Sequence, residues 1–560
     1  MKLLSQFWGR FAVTMAMVAS LFASAAAVAQ DKPVLLVAGN SLDSMLADFK
    51  YLATTAGVPE VSGLAGVMIK GFTEGLDRAK PWGVVVSTDG IEFKAYGFVA
   101  VKNLKQVLET VEQQTGREIG DAGNGVSKID GPNGSIFIKE INGWAYLSSS
   151  PDHLKGVVAD PSKLVAPLIA KYDLAVEINV KNVPAQYIDI FLAQMKQANA
   201  RALEQGLEDQ DDAQVEFSRE LNKRMMGQIE TAIEEVQTIT YALSVDAANK
   251  ATFLEVGVSF KDGGKYAGQL QALGQLRTNY AGFLLPGAAA NLHFASKSSK
   301  EDVELTLSML KRGRTQVLAQ VEKDPKLPND EARDAAKEVV NGLMDVVAKT
   351  VESGMMDGGA VLSLDPKVVA FAGGGHVVDG PSVEKILRRV NELAQNEPGF
   401  PGVKFNAGKH GGMSFHTIEI PVPEHEKARQ FIGPTMQIVL ATGDKTVYVA
   451  AGKDPQALLK QVIDASAADA NKATTPAELS ISLAPILRFA ADAEPNNPGL
   501  RAILPQLENL KNDKIFIRTN VDGSMVSYRI AVEEGVLKAI GLAAKAAQGG
   551  ARRPPVGDGF

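Results

Sequence analysis

The sequence passes twice through one series of events, so its fold must be built from two similar units in tandem. Trp144-Ala145-Tyr146-Leu147-Ser148-Ser149-Ser150-Pro151-Asp152-His153-Leu154 is echoed by Val447-Tyr448-Val449-Ala450-Ala451-Gly452-Lys453-Asp454-Pro455-Gln456-Ala457-Leu458. Each reads as a strand, a turn of small residues, a Pro suited to the first helical turn, and a helix. Earlier, Val34–Ala38, Gly39-Asn40-Ser41 and a helical pattern to about Thr55 parallel Asn291–Ala295, a Ser-rich turn and a helix starting near Glu301. Ser298 and Glu301 have the spacing of a capping box. The strand Trp82–Thr88, stopping at Asp89-Gly90, parallels Gly359–Leu364, stopping at Asp365-Pro366. Ala95–Val101 before a helix Leu104–Gln114 parallels Ala370–Val378 before Val383–Ala394. Leu174–Val180 resembles Leu479–Leu483, and the hairpin Ile239–Phe260 resembles Ile515–Val532.

Short alternating strands joined by hairpin turns, with helices set between them, point to an α+β fold. The expected architecture is two tandem repeats of mostly antiparallel sheet with packed helices and helical hairpin inserts. The insert of the first copy is a helical pair, about Ala185–Gln205 and Ala213–Val236, split by the acidic turn Glu208–Asp212. That of the second is a longer pair, about Glu301–Lys323 and Asn329–Glu352, split by Asp324–Pro328. Leu285-Pro286-Gly287 is the natural join. The expected division is therefore 1–29 leader, 30–285 first repeat, 286–547 second repeat and 548–560 disordered tail.

The leader has the three parts of a cleavable signal peptide. Lys2 and Arg10 supply a positive start, Phe11–Ala23 an apolar stretch, and Ala27 and Ala29 the small residues a signal peptidase accepts before Gln30. The apolar run is about 13 residues, too short for the roughly 20 that span a bilayer. No later run approaches that length, so no membrane span is expected after cleavage. The chain has no cysteine, which excludes a lipobox anchor, disulfides, thiol nucleophiles and thiolate metal sites. A periplasmic or extracellular protein held together by ordinary cores is the expectation.

Net charge is −7, and loss of the leader cations Lys2 and Arg10 takes it two units further negative. Such a balance argues against nucleic acid as a partner. Gly39-Asn40-Ser41-Leu42-Asp43 looks like the Gly-Asp-Ser-Leu block of one esterase class. That class also needs a late Asp-x-x-His pair, and none of the six His has an Asp three residues before it; a helix-capping turn fits better. His410, His416 and His425 cluster near Glu419, Glu424 and Glu426. A metal needs three or four convergent ligands, and Gly411-Gly412 points instead to a hairpin carrying polar residues. Gly373-Gly374-Gly375-His376 lacks the remaining features of a phosphate loop and reads as a bulge or a close backbone approach. Asp152-His153 sits in a first helical turn, where Asp complements the helix dipole. No catalytic residue, cofactor site or metal site is assigned.

The strand–Ser-Pro–helix block at Trp144–Leu154, the strand–Asp-Pro–helix block at Val447–Leu458, the leader and the two-fold layout together resemble a loose group of large exported bacterial proteins abundant in planctomycetes. The group has no assigned activity, so the resemblance implies architecture and address alone. The expected function is a soluble, non-catalytic exported binding or scaffold protein whose partner is an envelope protein or a small molecule. The alternatives are a two-lobed periplasmic small-ligand-binding protein and a hydrolase of unrecognised type. The sequence leaves the oligomeric state open.

Overall fold

The computed structural model describes residues 32–550 except 133, 208–211, 326, 328, 366–367, 396–398, 425–427, 498, 501–504 and 506–510. The leader with Ala27 and Ala29, and most of the acidic turn at 208–212, lie outside the described residues, as does His425. The fold is α+β and its strands pair antiparallel. The chain divides into two compact units, Met1–Gly268 with Ser524–Ser527, and Gln269–Gly523 with Tyr528–Phe560.

The first unit runs β1 (Lys32–Gly39), α1 (Leu42–Thr55), α2 (Pro59–Phe72), β2 (Trp82–Thr88), β3 (Phe93–Ala100), α3 (Leu104–Thr115), β4 (Ile119–Asp121), β5 (Val126–Gly131), β6 (Gly134–Ile141) and β7 (Trp144–Ser148). A 3₁₀ turn at Pro151–Leu154 leads to α4 (Ser162–Ile169), β8 (Leu174–Ile178), α5 (Ala185–Gly206), α6 (Asp212–Glu235), β9 (Val236–Asp246) and β10 (Ala251–Phe260). Pairing places the strands in the order β4-β5-β6-β7-β3-β2-β1-β8-β9-β10. The turns follow local chemistry. Asn142 and Gly143 both take positive φ between β6 and β7, the demand of a two-residue hairpin. Asn103 caps α3 by accepting from the Gln106 N–H, and left-handed Gly116 ends it.

After α7 (Lys265–Leu273) the second unit runs β11 (Arg277–Thr278), β12 (Ala290–Lys297), α8 (Lys300–Lys323), α9 (Asp330–Glu352), β13 (Met355–Asp365), β14 (Val368–His376), α10 (Gly380–Ala394), β15 (Lys404–His410) and β16 (Met413–Pro421). It continues through α11 (Arg429–Ile432), β17 (Thr435–Thr442), β18 (Thr446–Gly452), α12 (Pro455–Ala468), β19 (Lys472–Ala473), β20 (Ala477–Ser482), α13 (Leu483–Ala493), β21 (Lys514–Asp522), β22 (Met525–Glu533) and α14 (Glu534–Gly550). Its order is β15-β16-β17-β18-β14-β13-β12-β20-β21. This is the first unit's order, strand for strand from β4 to β9. β11 and β19 form a separate two-stranded clasp.

In each unit one sheet face packs on a helix that follows the strand–Pro block. Tyr146 and Ala38 meet Leu154 and the α4 residues Val165 and Leu168 in one core. Tyr448, Ala450 and Val361 meet Phe283 and the α12 residues Leu458, Leu459 and Val462 in the other. The buried phenols keep polar partners: Tyr146 donates to the Val158 carbonyl at 2.5 Å, and the Tyr280 hydroxyl lies 2.8 Å from that of Thr446.

Several expectations need correction. The division falls at Gly268/Gln269 rather than at Leu285-Pro286-Gly287, because Tyr280, Phe283 and Ala288 belong to the second core. Ser299, not Ser298, caps α8, accepting from the Asp302 N–H at 3.1 Å. Gly373, Gly374 and Gly375 lie inside β14 and make close backbone approaches: a Cβ on Gly374 would stand 2.7 Å from the Tyr448 ring. A short 3₁₀ turn, not an α-helix, follows Ser150. The tail begins as helix, since α14 reaches Gly550, and residues 551–560 lie outside the described residues.

Candidate functional site

A hydrolase would need its reactive side chains convergent. Ser41 is the N-cap of α1 and accepts from the Ser44 N–H at 3.1 Å. Ser148 donates its hydroxyl proton to the Ala95 carbonyl at 2.7 Å, and His153 Nδ1 lies 3.2 Å away. With that proton on a carbonyl, Nδ1 is the donor of the pair and is not placed to act as base toward Ser148. Asp152 forms an ion pair with Lys155 at 2.6 Å, and this contact holds its carboxyl below the usual range.

His410 and His416 do not converge. His410 ends β15 opposite Met413 and contacts Asp464 of α12 at 2.7 Å. His416 sits on β16 pointing to the other sheet face, fully buried, with Nε2 3.0 Å from Thr442 Oγ1 and 3.6 Å from Glu384 of α10. Burial pushes its imidazole below the ordinary value, Glu384 opposes that shift, and Arg388 adds to it. Two ligands on opposite faces of one hairpin cannot share an ion. Among the described residues no group of three His, Asp or Glu is arranged to hold a metal.

A buried polar cluster around His293 carries no signature in the sequence. His293 on β12 is fully buried. Thr278 on β11 donates to Asp357 Oδ1 at 2.6 Å and accepts from the Tyr280 N–H at 2.8 Å. His293 Nε2, 2.9 Å from the same hydroxyl, therefore supplies a proton to it, while Nδ1 faces Thr474 Oγ1 at 3.3 Å. Asp357 Oδ2 accepts from the Asn279 N–H at 3.0 Å. Every member fastens the β11–β19 clasp to the sheet, so the cluster holds structure in place.

The other sheet face has a different character. Residues directly opposite in an antiparallel pair share a face. Strand register therefore traces one row across the second unit: Val449, Gly373, Ala360, Leu292, Leu479 and Ile517. The row on the same face in the first unit is Leu147, Gly97, Val84, Val37, Val176 and Tyr241. The rows correspond position by position, glycine on glycine. The neighbouring rows, such as Phe371-Leu362-Ala290-Ile481-Ile515 and Ala95-Val86-Leu35-Ile178-Ile239, carry no charge either.

One end of this face is covered. In the first unit α3 packs Leu104, Val107, Leu108 and Val111 against Ile129, Ile138 and Ala145. In the second, α10 brings Glu384 to His416. Further along, large apolar side chains stand open: Leu292 is 38% exposed, Val449 and Ile517 41%, Tyr241 50% and Leu254 56%. A lone exposed Leu is ordinary, whereas a contiguous apolar strip on a sheet face is a binding feature. No described helix is long and apolar enough to cross a membrane. Compared with known proteins, the chain matches no family model, no curated protein and no solved structure.

Proposed function

We propose that this is an exported, non-catalytic binding protein, made by duplication of one α+β unit, whose apolar sheet faces receive a partner from the cell envelope. One observation carries the reading: a charge-free apolar row recurs at the same register in both units, and in the second unit Leu292, Val449 and Ile517 on it stand 38–41% exposed. Where the strip stands open, as it does in the second unit, it forgoes the stabilisation of burial unless something covers it. The hydroxyls of Ser148 and Thr278 support the non-catalytic part, since both already donate to a backbone or carboxylate oxygen. The leader, with Ala27 and Ala29 before Gln30, supports export to the periplasm or beyond.

The test is retention. Mature protein beginning at Gln30 is immobilised, exposed to an envelope fraction, and washed, and the retained proteins and small molecules are identified by mass spectrometry. The expected result is a species enriched over a control protein of matched charge. No enrichment would overturn the reading. N-terminal sequencing of the protein recovered from the envelope is expected to begin at Gln30.

A further inference from the structure

We infer that the helical pair α5–α6 of the first unit is a dimer contact, through which two copies of the chain join as a four-helix bundle. The inference is independent of what the sheet faces receive. α5 repeats adjacent pairs of mostly apolar residues at heptad spacing, Tyr187-Ile188, Phe191-Leu192 and Ala198-Asn199. α6 does the same with Leu221-Asn222, Met225-Met226 and Ala232-Ile233. Each helix therefore carries two neighbouring stripes. One is used inside the pair, where Asn199 and Asn222 exchange amide hydrogen bonds at 2.8 and 3.2 Å and Lys196 meets Glu230 at 3.1 Å on one flank of the seam. The other stands in water: Ile190 and Phe191 are 54% exposed and Met225 50%. At about 3.6 residues per turn, Phe191 and Met225 fall on the side of the seam away from that ion pair, so the open stripes form one face. A two-helix hairpin needs one stripe per helix. A helix in a four-helix bundle touches two neighbours and needs two.

The second unit meets the same need from within. Its helix α9 buries Ala335 and Val346, and α10 lies along it, with Arg389 Nε 2.9 Å from Glu338 and Ile386 against Gly342. By contrast α5 has no buried side chain, and neither have the described residues of α6. The base of the pair is held, since the Tyr187 ring meets that of Phe93 at 5.1 Å and Tyr266 donates to the Gln228 carbonyl at 2.8 Å. Size fits a second copy. Helices about 33 Å long and about 10 Å apart present a face on the order of 700 Å², near the ~800 Å² per partner that a stable dimer buries. Charge argues against a membrane. α5 has no charge from Ile190 to Met195 and α6 none from Met225 to Ile229, yet the pair holds five Lys and Arg against eight Asp and Glu, the wrong sign for anionic lipid. A two-fold pairing sets one such face on another of the same length and gives every helix its second neighbour.

The experiment is sedimentation equilibrium of the full mature chain, and a dimer at micromolar concentration is expected. Phe191→Glu and Met225→Glu should each weaken it at least about tenfold, and the double variant should be monomeric, while Phe191→Leu keeps the dimer. Hydrogen exchange of the unsubstituted chain reads the same contact even if a Glu variant fails to fold. Peptides of α5 and α6 should exchange more slowly at high protein concentration than at low. The inference is overturned by a monomer at every concentration, by a dimer that survives the double variant, or by concentration-dependent protection that leaves α5 and α6 unchanged. Protection of the pair only when phospholipid vesicles are added overturns it too.

Discussion

The two units have the same strand order and differ in almost everything hung on it. Val37 in the first, between β2 and β8, and Leu292 in the second, between β13 and β20, hold corresponding positions, and Gly83 and Gly359 occupy the next register position on the packed face. At Gly83 a Cβ would meet the Val37 carbonyl and the Phe98 ring; at Gly359 it would meet the Leu292 carbonyl and the Phe283 ring. Yet the ring comes from different places. Phe98 lies on β3, and its register counterpart on β14 is Gly374, so the second unit brings Phe283 in from the turn before β12 to fill the space. Likewise the fully buried Ala38 corresponds to the fully buried His293. The long helical pairs are placed differently as well. α5 and α6 join β8 to β9 in the first unit, whereas α8 and α9 join β12 to β13 in the second. The spacing of the strands is what the two hold in common; inserts and core fillers are interchangeable.

Gly83→Val and Gly359→Val should each cost about 3–4 kcal/mol, since backbone blocks the new side chain on one side and a packed ring on the other. Hydrogen exchange of peptides from each unit is expected to show the loss only in the unit carrying the change. Equal loss in both would deny that each unit has its own core. Next in size is His293→Leu. It leaves Thr278 without its imidazole donor and should cost about 2–3 kcal/mol by urea unfolding. Faster exchange should appear at the clasp strands 277–278 and 472–473, and the corresponding change Ala38→His should be worse, because no hydroxyl network awaits the ring.

The smallest effect concerns Asp48 on α1, whose carboxyl is pushed up to about 6 by burial and by Asp173. A raised acid favours the fold when protonated. Its contribution is complete below the ordinary value near 4 and lost as pH rises through 6. Asp48→Asn should therefore stabilise the first unit by about 1 kcal/mol at pH 7, since solvent still reaches part of the carboxyl, and flatten its stability between pH 4 and 6. A curve unchanged by the substitution would remove this difference between the units.

Much of the scaffold was legible because its signals are local. The strand–Pro–helix blocks, the Ser41 cap and the Gly411-Gly412 turn each lie within a few residues. Register was less so: matching Trp144 to Val447 is one residue off, since strand pairing sets Tyr146 against Tyr448, opposite Phe98 and Gly374 respectively. The turns before Pro151 and Pro455 differ in length, so the prolines cannot set the strand register. The His293 cluster was out of reach, for its partners are scattered from Thr278 to Thr474 along the chain. Harder still was the choice of face. Along β12, hydrophobicity alone would bury Leu292 and Phe294, yet Asn291, His293 and Ala295 are the buried set. Alternation shows that two faces differ, not which one a helix will cover.

The position of the first strand in each sheet has a consequence for timing. β1 lies between β2 and β8, so Leu36 must wait for Glu177, and β12 must likewise wait from Leu292 to Leu479. Neither sheet can close its centre until nearly the whole unit has emerged, and contacts so distant along the chain make closure slow. Were the chain exported as proposed, that delay would be protective: an unfinished unit offers no completed sheet to jam the passage.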